Sequence, residues 1–430
     1  MTETLAVFLH DDYLGDVIPF AQGQRRQKNR VRFQWDSEYQ PAAVSLTESF
    51  TSIPGREPDG TLVSNFFGGY TPDGNHREAM AALRGIDHND LFGLLREFGG
   101  SLGGALTFRE SDETSPFIPH YTAIDDTAVA QRLTQAVERH DLGIQDDNRS
   151  MLPGFQPKLL LARFGSQWHE PHGRAHSTHI LKPQLHSRPH QIYNEYYSHQ
   201  LSRAMGLSQF GSDVVSVGQT TFLSIERFDR VVDGTSVSLV HQEDAAQALG
   251  LDWQNSEIKF QDARWPTNPA RPNVRKVAEI TGSLPNALTE TAQWLRQLIF
   301  HVLIGDNDAH AKNVGFVHKS DGTQLSELYD AVPNLYQSGR TNWDLAMAID
   351  GDFDHRKVSA ESIAREAASW SVLRGDTIDG VIDTTLREFA DAQASTTPPS
   401  DVDPSVVERL SWNVRRLTEG SQISSPKEKL

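Results

Sequence analysis

The sequence predicts an α+β fold, mixed strand and helix in its first part and helical in its last. Two observations carry this. Before residue 240 apolar residues alternate with polar ones at several places, as at Leu5, Val7 and Leu9, the period of a strand with one buried face. After residue 241 the apolar spacing becomes that of helices, over 241–249, 286–304, 358–370, 376–393 and 405–418. The chain has 430 residues, 37% hydrophobic and 23% charged. That is an ordinary globular composition and a length for roughly two to three domains.

Taken in order, Leu5–Leu9, the Asp11-Asp12 turn and Tyr13–Val17 read as a hairpin, and Val31–Trp35 as a third strand. Asn65-Phe66-Phe67 leads to a turn at Pro72-Asp73-Gly74, with helical patterns at 76–84 and 89–98. The glycine cluster Gly99-Gly100-Ser101-Leu102-Gly103-Gly104 precedes a short strand, Ala105–Phe108. It lacks a P-loop lysine and opens no helix, so it does not read as a phosphate cradle. Segment 111–128 is a polar connection, followed by a helix at 126–140. Strands are expected at Lys158–Phe164, Thr178–Lys182, Thr221–Arg227 and Ser236–Val240, with a helix from Asn194 to Met205 stopped by Gly206. Loop 395–404 separates the last two helices, and the tail SSPKEKL reads as frayed.

Composition excludes several function classes. There is no cysteine, so disulfides, thiolate zinc sites, thiol nucleophiles and iron–sulfur clusters are ruled out. The acidic start, Met1-Thr2-Glu3-Thr4, lacks the basic region of a signal peptide, which fits a cytoplasmic protein. No apolar run approaches the ~18 residues that would span a bilayer. The best, Leu295–Gly305, is interrupted by Arg296, Gln297 and His301 and reads as a core helix. The net charge of −17 argues against a broad grip on nucleic acid. The basic group Arg25, Arg26, Lys28 and Arg30 reads as a solvated loop.

The chemistry concentrates in Gly305-Asp306-Asn307-Asp308-Ala309-His310-Ala311-Lys312-Asn313, between an apolar helix and the strand Val314–Val317. Asp308 and Asn313 have the Asp-x-x-x-x-Asn spacing of a kinase catalytic loop, where the acid takes the proton of the attacking hydroxyl and the amide holds a metal on the ATP phosphates. A second metal carboxylate is expected downstream, and Asp330, after Leu325–Leu328, supplies it. Upstream, Lys182 ends the strand THILK, the place of a phosphate-neutralising lysine, and Glu195 opens the next helix as the acid to orient it. Each residue alone is commonplace; a capping aspartate or a strand-edge lysine would look the same. The complete order, strand Lys, helix Glu, Asp-x-x-x-x-Asn and Asp, predicts a kinase-like two-lobed fold and a phosphotransferase.

These residues also carry a family resemblance. DNDAHAKN is similar to the catalytic-loop signature of the HipA family of bacterial toxin kinases. NEYYSHQLSRAMGL, SIERFDR and VHQEDAAQALG resemble its other blocks, and SNFFGGYTPDG with DLFGLLREFGGSLGGALTF resembles its extra N-terminal subdomain. The likeness runs over about residues 1–420 and is poor over 251–290. It implies a small β-rich N-terminal subdomain (1–110), a mixed α/β kinase-like lobe with ATP loop and hinge (111–240) and an all-helical lobe with the catalytic loop (241–430). It further implies that Asp308 is the base, that Asn313 and Asp330 hold Mg2+, and that Lys182, Gly154, Gln156, Lys158, His310 and Lys312 meet ATP. Glu226 and Phe228 are implied as the hinge that contacts adenine through the backbone. Members of the family are serine/threonine protein kinases linked to bacterial persistence. The best known phosphorylate glutamyl-tRNA synthetase and are restrained by a DNA-binding HipB-like antitoxin, so DNA contact would be indirect. The rival readings are a small-molecule phosphotransferase on the same fold and a non-catalytic, nucleotide-gated partner of a DNA-binding repressor.

One departure stands out. The family's ATP loop resembles Ser-x-x-Gly-x-Gln-x-Lys and its serine is autophosphorylated. Aligning Gly154, Gln156 and Lys158 puts Met151 at the serine position and Ser150 one residue early, which turns the hydroxyl to another face. Other signals are weaker. His169, His172, His176, His179, His186, His190 and His199 have no helical pairing and read as loop histidines around the Lys182 strand, not a zinc site. His310 is expected to brace its loop. Asp350, Asp352, Asp354 and Glu361 mimic a calcium loop, but His355 stands where that loop needs glycine, so an acidic turn before a helix is expected. Trp253 and Trp265 read as loop residues covering the core, or as a partner surface.

Overall fold

In the computed structural model the described residues are 3–22, 25–39, 44–110, 118–140, 147–154, 156–337 and 342–424. Part of the expected 111–128 connection and nearly all of the C-terminal tail lie outside them. The chain divides into two compact units. The first holds Met1–Pro183, Phe210–Ser256 and Val317–Gly322; the second holds Gln184–Gln209, Glu257–Phe316 and Thr323–Leu430.

The first unit opens with β1 (Leu5–Leu9), β2 (Asp12–Gln22) and β3 (Arg25–Trp35). Leu5, Val7 and Leu9 are buried, as their alternation requires. His10 and Asp11 turn the hairpin with φ of 50° and 69°, the left-handed pair that a two-residue hairpin needs. β3 starts well before the expected Val31, so the basic group is strand and not loop. Its cations are matched: Arg26 lies 2.8 Å from Asp90, Lys28 3.0 Å from Asp87, and Arg32 pairs with Glu57. Three helices follow, α1 (Gly60–Gly68), α2 (Gly74–Leu83) and α3 (Leu91–Phe98), and then β4 (Leu106–Glu110) completes a sheet of order β3-β2-β1-β4. Helix α1 stands where only a lead-in to a turn was expected. Its start is fixed by Asp59, which accepts from the backbone N–H groups of Thr61 and Leu62. The helices fill the core with aromatic edges: Phe67 meets Phe33 at 5.6 Å and Phe108 at 5.2 Å, both edge-on.

A second sheet in this unit has the order β5-β7-β6-β8-β10-β9. It is built from β5 (His120–Ile124), β6 (Leu159–Phe164), β7 (Gln167–His172) and β8 (His179–Pro183), with α4 (Asp126–Arg139) between β5 and β6. Val129 and Leu133 of α4 pack on Leu159, Leu161, Leu181 and Phe222. β7 corrects the histidine reading: His169 and His172 are on a strand, and His172 bonds Asp147 at 2.9 Å. The chain then supplies α5 (Gln191–Ala204) to the second unit and returns with β9 (Ser212–Val217), β10 (Thr220–Glu226), β11 (Arg230–Asp233) and β12 (Ser236–Leu239). His241–Asp244, expected as helix, is strand β13, and only Ala245–Ala248 forms a helix, α6. Asp244 and Gln247 make a capping box there, so the side chain that would continue a helix instead starts one.

The glycine cluster is a packing device. A Cβ on Gly99 would sit 2.3 Å from the Leu95 carbonyl, and one on Gly104 2.8 Å from the Gln242 N–H. The close approach is locked by a buried charge network. Arg227 reaches Asp229 through two bonds of 3.0 and 2.8 Å and also donates to the Leu102 carbonyl. Arg230 donates to the Gly104 and Leu102 carbonyls, and the Gly104 N–H donates to Asp229 at 2.8 Å. Burial pushes the Asp229 carboxyl up, but the Arg227 and Arg230 guanidiniums outweigh it and hold the group well below the usual carboxylate range.

The second unit adds α7 (Val274–Thr281), α8 (Ala287–Ile304), β14 (Gly315–Lys319), β15 (Gly322–Leu325), β16 (Asp344–Ile349), β17 (Asp352–Asp354), α9 (Ala360–Ser369), α10 (Gly375–Ser395) and α11 (Pro404–Thr418), though β14 and β15 pass partly into the first. The strand expected at Leu325–Leu328 thus ends where it was to begin. α8 is the core helix expected around Leu295–Gly305, and among the described residues no helix is long and apolar enough to cross a membrane. The acidic run at 350–354 is a β16–β17 turn whose carboxylates are taken by cations: Asp352 by Lys357, Asp354 by Arg356 and Asp350 by Arg365.

Replacing Asp229 with Ala leaves two buried guanidiniums uncompensated. The first unit should lose about 3–5 kcal/mol, read as a lower denaturation midpoint in urea at neutral pH. An unchanged midpoint would show that the network is not holding the glycine segment.

Candidate active site

α8 ends at Gly305, whose φ of 68° is the left-handed cap of a helix C-terminus. No other residue fits, because a Cβ there would lie 2.5 Å from the Tyr336 ring. The chain leaves the helix into the segment with the kinase-like spacing, and Asp306 braces it from below. Asp306 is buried, accepts the Asp308 N–H at 2.9 Å and lies 2.9 Å from His301 Nδ1, itself buried on the last turn of α8. Asn334 Nδ2 also reaches Asp306, at 3.4 Å. The spacing analysis passed over this brace; the i, i+5 pair of His301 and Asp306 around a helix-ending glycine was its signal.

Asp308 is exposed at the top of this loop, and Asn313 is buried at its end. The structure joins them: Asn313 Nδ2 donates to the Asp308 carbonyl at 2.9 Å. This engages the amide through its nitrogen. Between them His310 is buried, its ring edge-on to Phe260 at 5.0 Å. Asp330 is brought to the same loop by its neighbour, since the Tyr329 hydroxyl donates to the Lys312 carbonyl at 2.9 Å. Asp330 has a φ of 53°, a left-handed conformation that few non-glycine residues adopt and that concentrates at functional sites. Glu195 is fully buried on α5, its carboxylate 3.7 Å from His199. Asp308, Asn313, Asp330, His310, Lys312 and Glu195 all belong to the second unit.

The remaining candidates belong to the first unit. Lys182 is buried on β8, opposite Leu223 of β10. At the end of β10 the Gly211 N–H donates at 2.8 Å to the Glu226 side chain, not to the Glu226 carbonyl. The ladder therefore stops there with that carbonyl unclaimed by Gly211, which suits a hinge that meets a base through its backbone. Phe228, two residues on, is half-buried. Gly154 has a φ of 117°, and a Cβ on it would stand 2.5 Å from Lys158 Nζ, so the loop needs glycine to wrap round the ammonium group. Lys158 in turn donates to the Pro153 carbonyl at 2.6 Å. Gln156 Nε2 is buried without a hydrogen-bond partner, a donor waiting for an acceptor. Phe155 lies outside the described residues.

Ser150 and Met151 are both fully buried. The Ser150 N–H bonds Asn148 Oδ1 at 2.9 Å, the Met151 N–H bonds the Ser101 carbonyl at 3.1 Å, and the Met151 side chain is part of the core of the first unit. Trp253 is core as well, stacked under Arg77 at 4.9 Å, whereas Trp265 is 54% exposed. Among the described residues no group of three or more histidines and carboxylates is placed to hold a metal ion.

Replacing Asp306 with Ala strands the buried His301 imidazole and the Asp308 N–H. We expect a loss of roughly 1–3 kcal/mol in chemical denaturation, and a smaller loss for Asp306→Asn, which keeps an acceptor. Equal stability of all three proteins would show that the brace is idle.

Comparison with known proteins shows the family. The model for the HipA N-terminal domain matches residues 5–109, and that for the HipA-like C-terminal domain matches residues 150–393. The protein Y4mE of Sinorhizobium fredii, named as a kinase, is 30% identical over 277 residues, which are 63% of this chain and 64% of that protein. The match thus spans a little under two thirds of that relative. The serine/threonine-protein kinase toxin HipA of Shewanella oneidensis is 27% identical over 327 residues, 71% of this chain and 72% of the toxin. The HipA chain solved in the Shewanella oneidensis MR-1 complex of HipA, HipB and operator DNA superposes with a TM-score of 0.77 over 97% of both chains at 22% identity, which shows a shared fold. Since the C-terminal model covers more than half of the sequence and the N-terminal model its beginning, the chain belongs to the HipA family.

Proposed function

We propose that this protein is an ATP- and magnesium-dependent serine/threonine protein kinase that acts as a toxin on a host protein. The observation that carries the reading is the catalytic loop: an exposed carboxylate, Asp308, tied through its own carbonyl to the amide of Asn313 and held from beneath by Asp306. The donor set fits the implied cation, because Asn313 Oδ1 and the Asp330 carboxylate are hard oxygen ligands of the kind magnesium takes. The ATP loop fits phosphate, because Gly154 leaves room for Lys158 and the unpartnered Gln156 amide offers a buried donor.

In this mechanism Asp308 accepts a hydrogen bond from the substrate hydroxyl, aims its oxygen at the γ-phosphorus and receives its proton as the P–O bond forms. Lys182 and Lys158 offset the charge of the ATP phosphates, and the Glu226 carbonyl receives the adenine amino group. Asn313 and Asp330 would hold magnesium, which when bound neutralises charge on the phosphoryl group and its leaving oxygen. The preorganisation lies in the buried brace, since a carboxylate on a loop held by Asp306 needs little reorganisation during transfer. A HipB-like partner is part of the proposal: the Shewanella HipA of the same fold is solved with HipB and operator DNA. With a net charge of −17, this chain is expected to meet DNA through such a partner, not by itself.

The test is Asp308→Asn, which keeps shape and removes the base. Transfer of labelled phosphate from ATP to protein should fall at least ~10²-fold while magnesium-ATP still binds in calorimetry. Near-normal transfer would refute the assignment.

Self-inhibition through Ser150 should be slow and incomplete. The hydroxyl is buried and its backbone is bridged to Ser101, so phosphorylation requires that segment to peel from the core. Incubation with magnesium-ATP and peptide mapping should find Ser150 modified in a minority of molecules. Rapid stoichiometric modification with parallel loss of activity would overturn this.

A further inference from the structure

The segment 251–290, inside the HipA-like C-terminal match, includes a well-built loop beside the catalytic loop, and nothing in the mechanism above uses it. The Ala311 N–H donates to the Lys259 carbonyl at 3.1 Å, and the Phe260 ring packs on His310. From there the chain rises into Gln261–Asn273 and turns on itself. Asp262 Oδ1 accepts from the N–H groups of Arg264 and Trp265, and Gln261 Nε2 donates to the Pro266 carbonyl. The Asn268 N–H bonds the Trp265 carbonyl at 2.9 Å. Gln261 also anchors the loop to β16, through the Ala346 carbonyl and the Ala348 N–H. Lys276 caps it by donating to the Pro269 and Arg271 carbonyls.

This rigid frame presents Arg264 and Trp265 to solvent. Trp265 is 54% exposed, and among the described residues the Arg264 guanidinium has no carboxylate within ion-pair distance. The segment is locally basic, with Arg275 paired to Glu279 at 3.6 Å. Residues 257–276 hold five cations (Lys259, Arg264, Arg271, Arg275, Lys276) and two carboxylates (Glu257, Asp262), in a chain whose net charge is −17. A tryptophan beside an arginine on a preordered loop is the pairing that most often dominates binding energy, because little conformational freedom is lost on docking. Trp265 is five residues from Phe260, which limits their separation to about 18 Å of extended chain.

We propose that the loop 257–273 is the docking site for the protein substrate, and that it takes an acidic segment with an apolar side chain. A carboxylate pairs with Arg264, the apolar group packs on Trp265, and the phosphoacceptor hydroxyl is thereby delivered to the neighbouring Asp308. This rests on the kinase reading only for the last step; docking itself does not.

The test uses the full chain and two synthetic serine peptides, one with glutamates and a phenylalanine flanking the serine, the other with lysines in place of the glutamates. Calorimetry reads docking without phosphate transfer. The glutamate peptide should bind at least ~10-fold more tightly than the lysine peptide, and Arg264→Glu and Trp265→Ala should each weaken it by about that factor. Magnesium-ATP affinity and the circular dichroism of both variants should stay unchanged, since both side chains are exposed. A glutamate peptide that binds but is not phosphorylated keeps the docking site and fails the kinase reading. Equal binding of the two peptides, indifference to both substitutions, or preference for a single-stranded oligonucleotide over the glutamate peptide would overturn the proposal.

Discussion

The first unit depends on one buried arrangement, the carboxylate of Asp229 between the guanidiniums of Arg227 and Arg230. Three charged groups in a core are costly unless their donors find acceptors, and here spare N–H groups go to the Leu102 and Gly104 carbonyls and to Ser177, with Arg230 Nε left without a partner. Those carbonyls belong to the glycine cluster, whose missing side chains allow the approach. The network therefore does two things at once. It ends β10 at the candidate hinge, and it fastens the N-terminal sheet and helices to that hinge. The Arg230 guanidinium, lowered to about 9 by burial and by Arg227, is still a cation at neutral pH. The Arg230–Asp229 pair therefore stays ionised around neutral pH.

The second unit repeats the logic on a smaller scale. A helix that ends at Gly305 is followed by an acid that looks inward, Asp306, and then by one that looks outward, Asp308. The inward acid meets His301 Nδ1 and a loop N–H; the outward one is exposed. Two carboxylates two residues apart can take opposite roles because the turn between them changes face. The further anchor, Tyr329 on the Lys312 carbonyl, sets the Asp330 backbone against the Asn313 end of the same loop. Neither Asp330 nor Gly305 has a relaxed backbone for an ordinary side chain, and the surrounding hydrogen bonds are what hold both in place.

How much of this was legible depends on whether a residue's role is local. β6, β8 and β10 and helices α8, α10 and α11 could be read because their apolar periods are strong. That Asp308 and Asn313 share one loop could be read from their spacing, and the Asn313 Nδ2 bond to the Asp308 carbonyl joins them. Misread elements were those where composition and partner disagree. β7 is Gln-Trp-His-Glu-Pro-His, polar enough to pass for a loop, and is a strand because β5 and β6 flank it. β13 is made of residues that suit helices, and only the Asp244–Gln247 box marks the true start of one. The basic start of β3 reads as solvated until Asp87 and Asp90, sixty residues later in the chain, arrive opposite it. The Asp306 brace had a signal in its spacing from His301, but His301 lies inside an apolar helix and looks like an interruption.

The same distinction bears on the loop 257–273. Residues that hold metal and phosphate in a phosphotransferase answer to one chemistry, so their order can be sought in a single sequence. A surface that selects a protein substrate answers to that substrate, and its sequence has no reason to resemble the family elsewhere. Exposure alone would describe any surface loop. What sets this one apart is that it is built like core while presenting what cores avoid. Gln261, Asp262, Asn268 and Lys276 spend their hydrogen bonds on holding its backbone, and the outcome is an exposed indole next to an unpaired guanidinium. A loop that merely connected α6 to α7 would need neither the rigidity nor the tryptophan, and its attachment to the catalytic loop through Lys259 and Phe260 places both where an arriving hydroxyl would be steered.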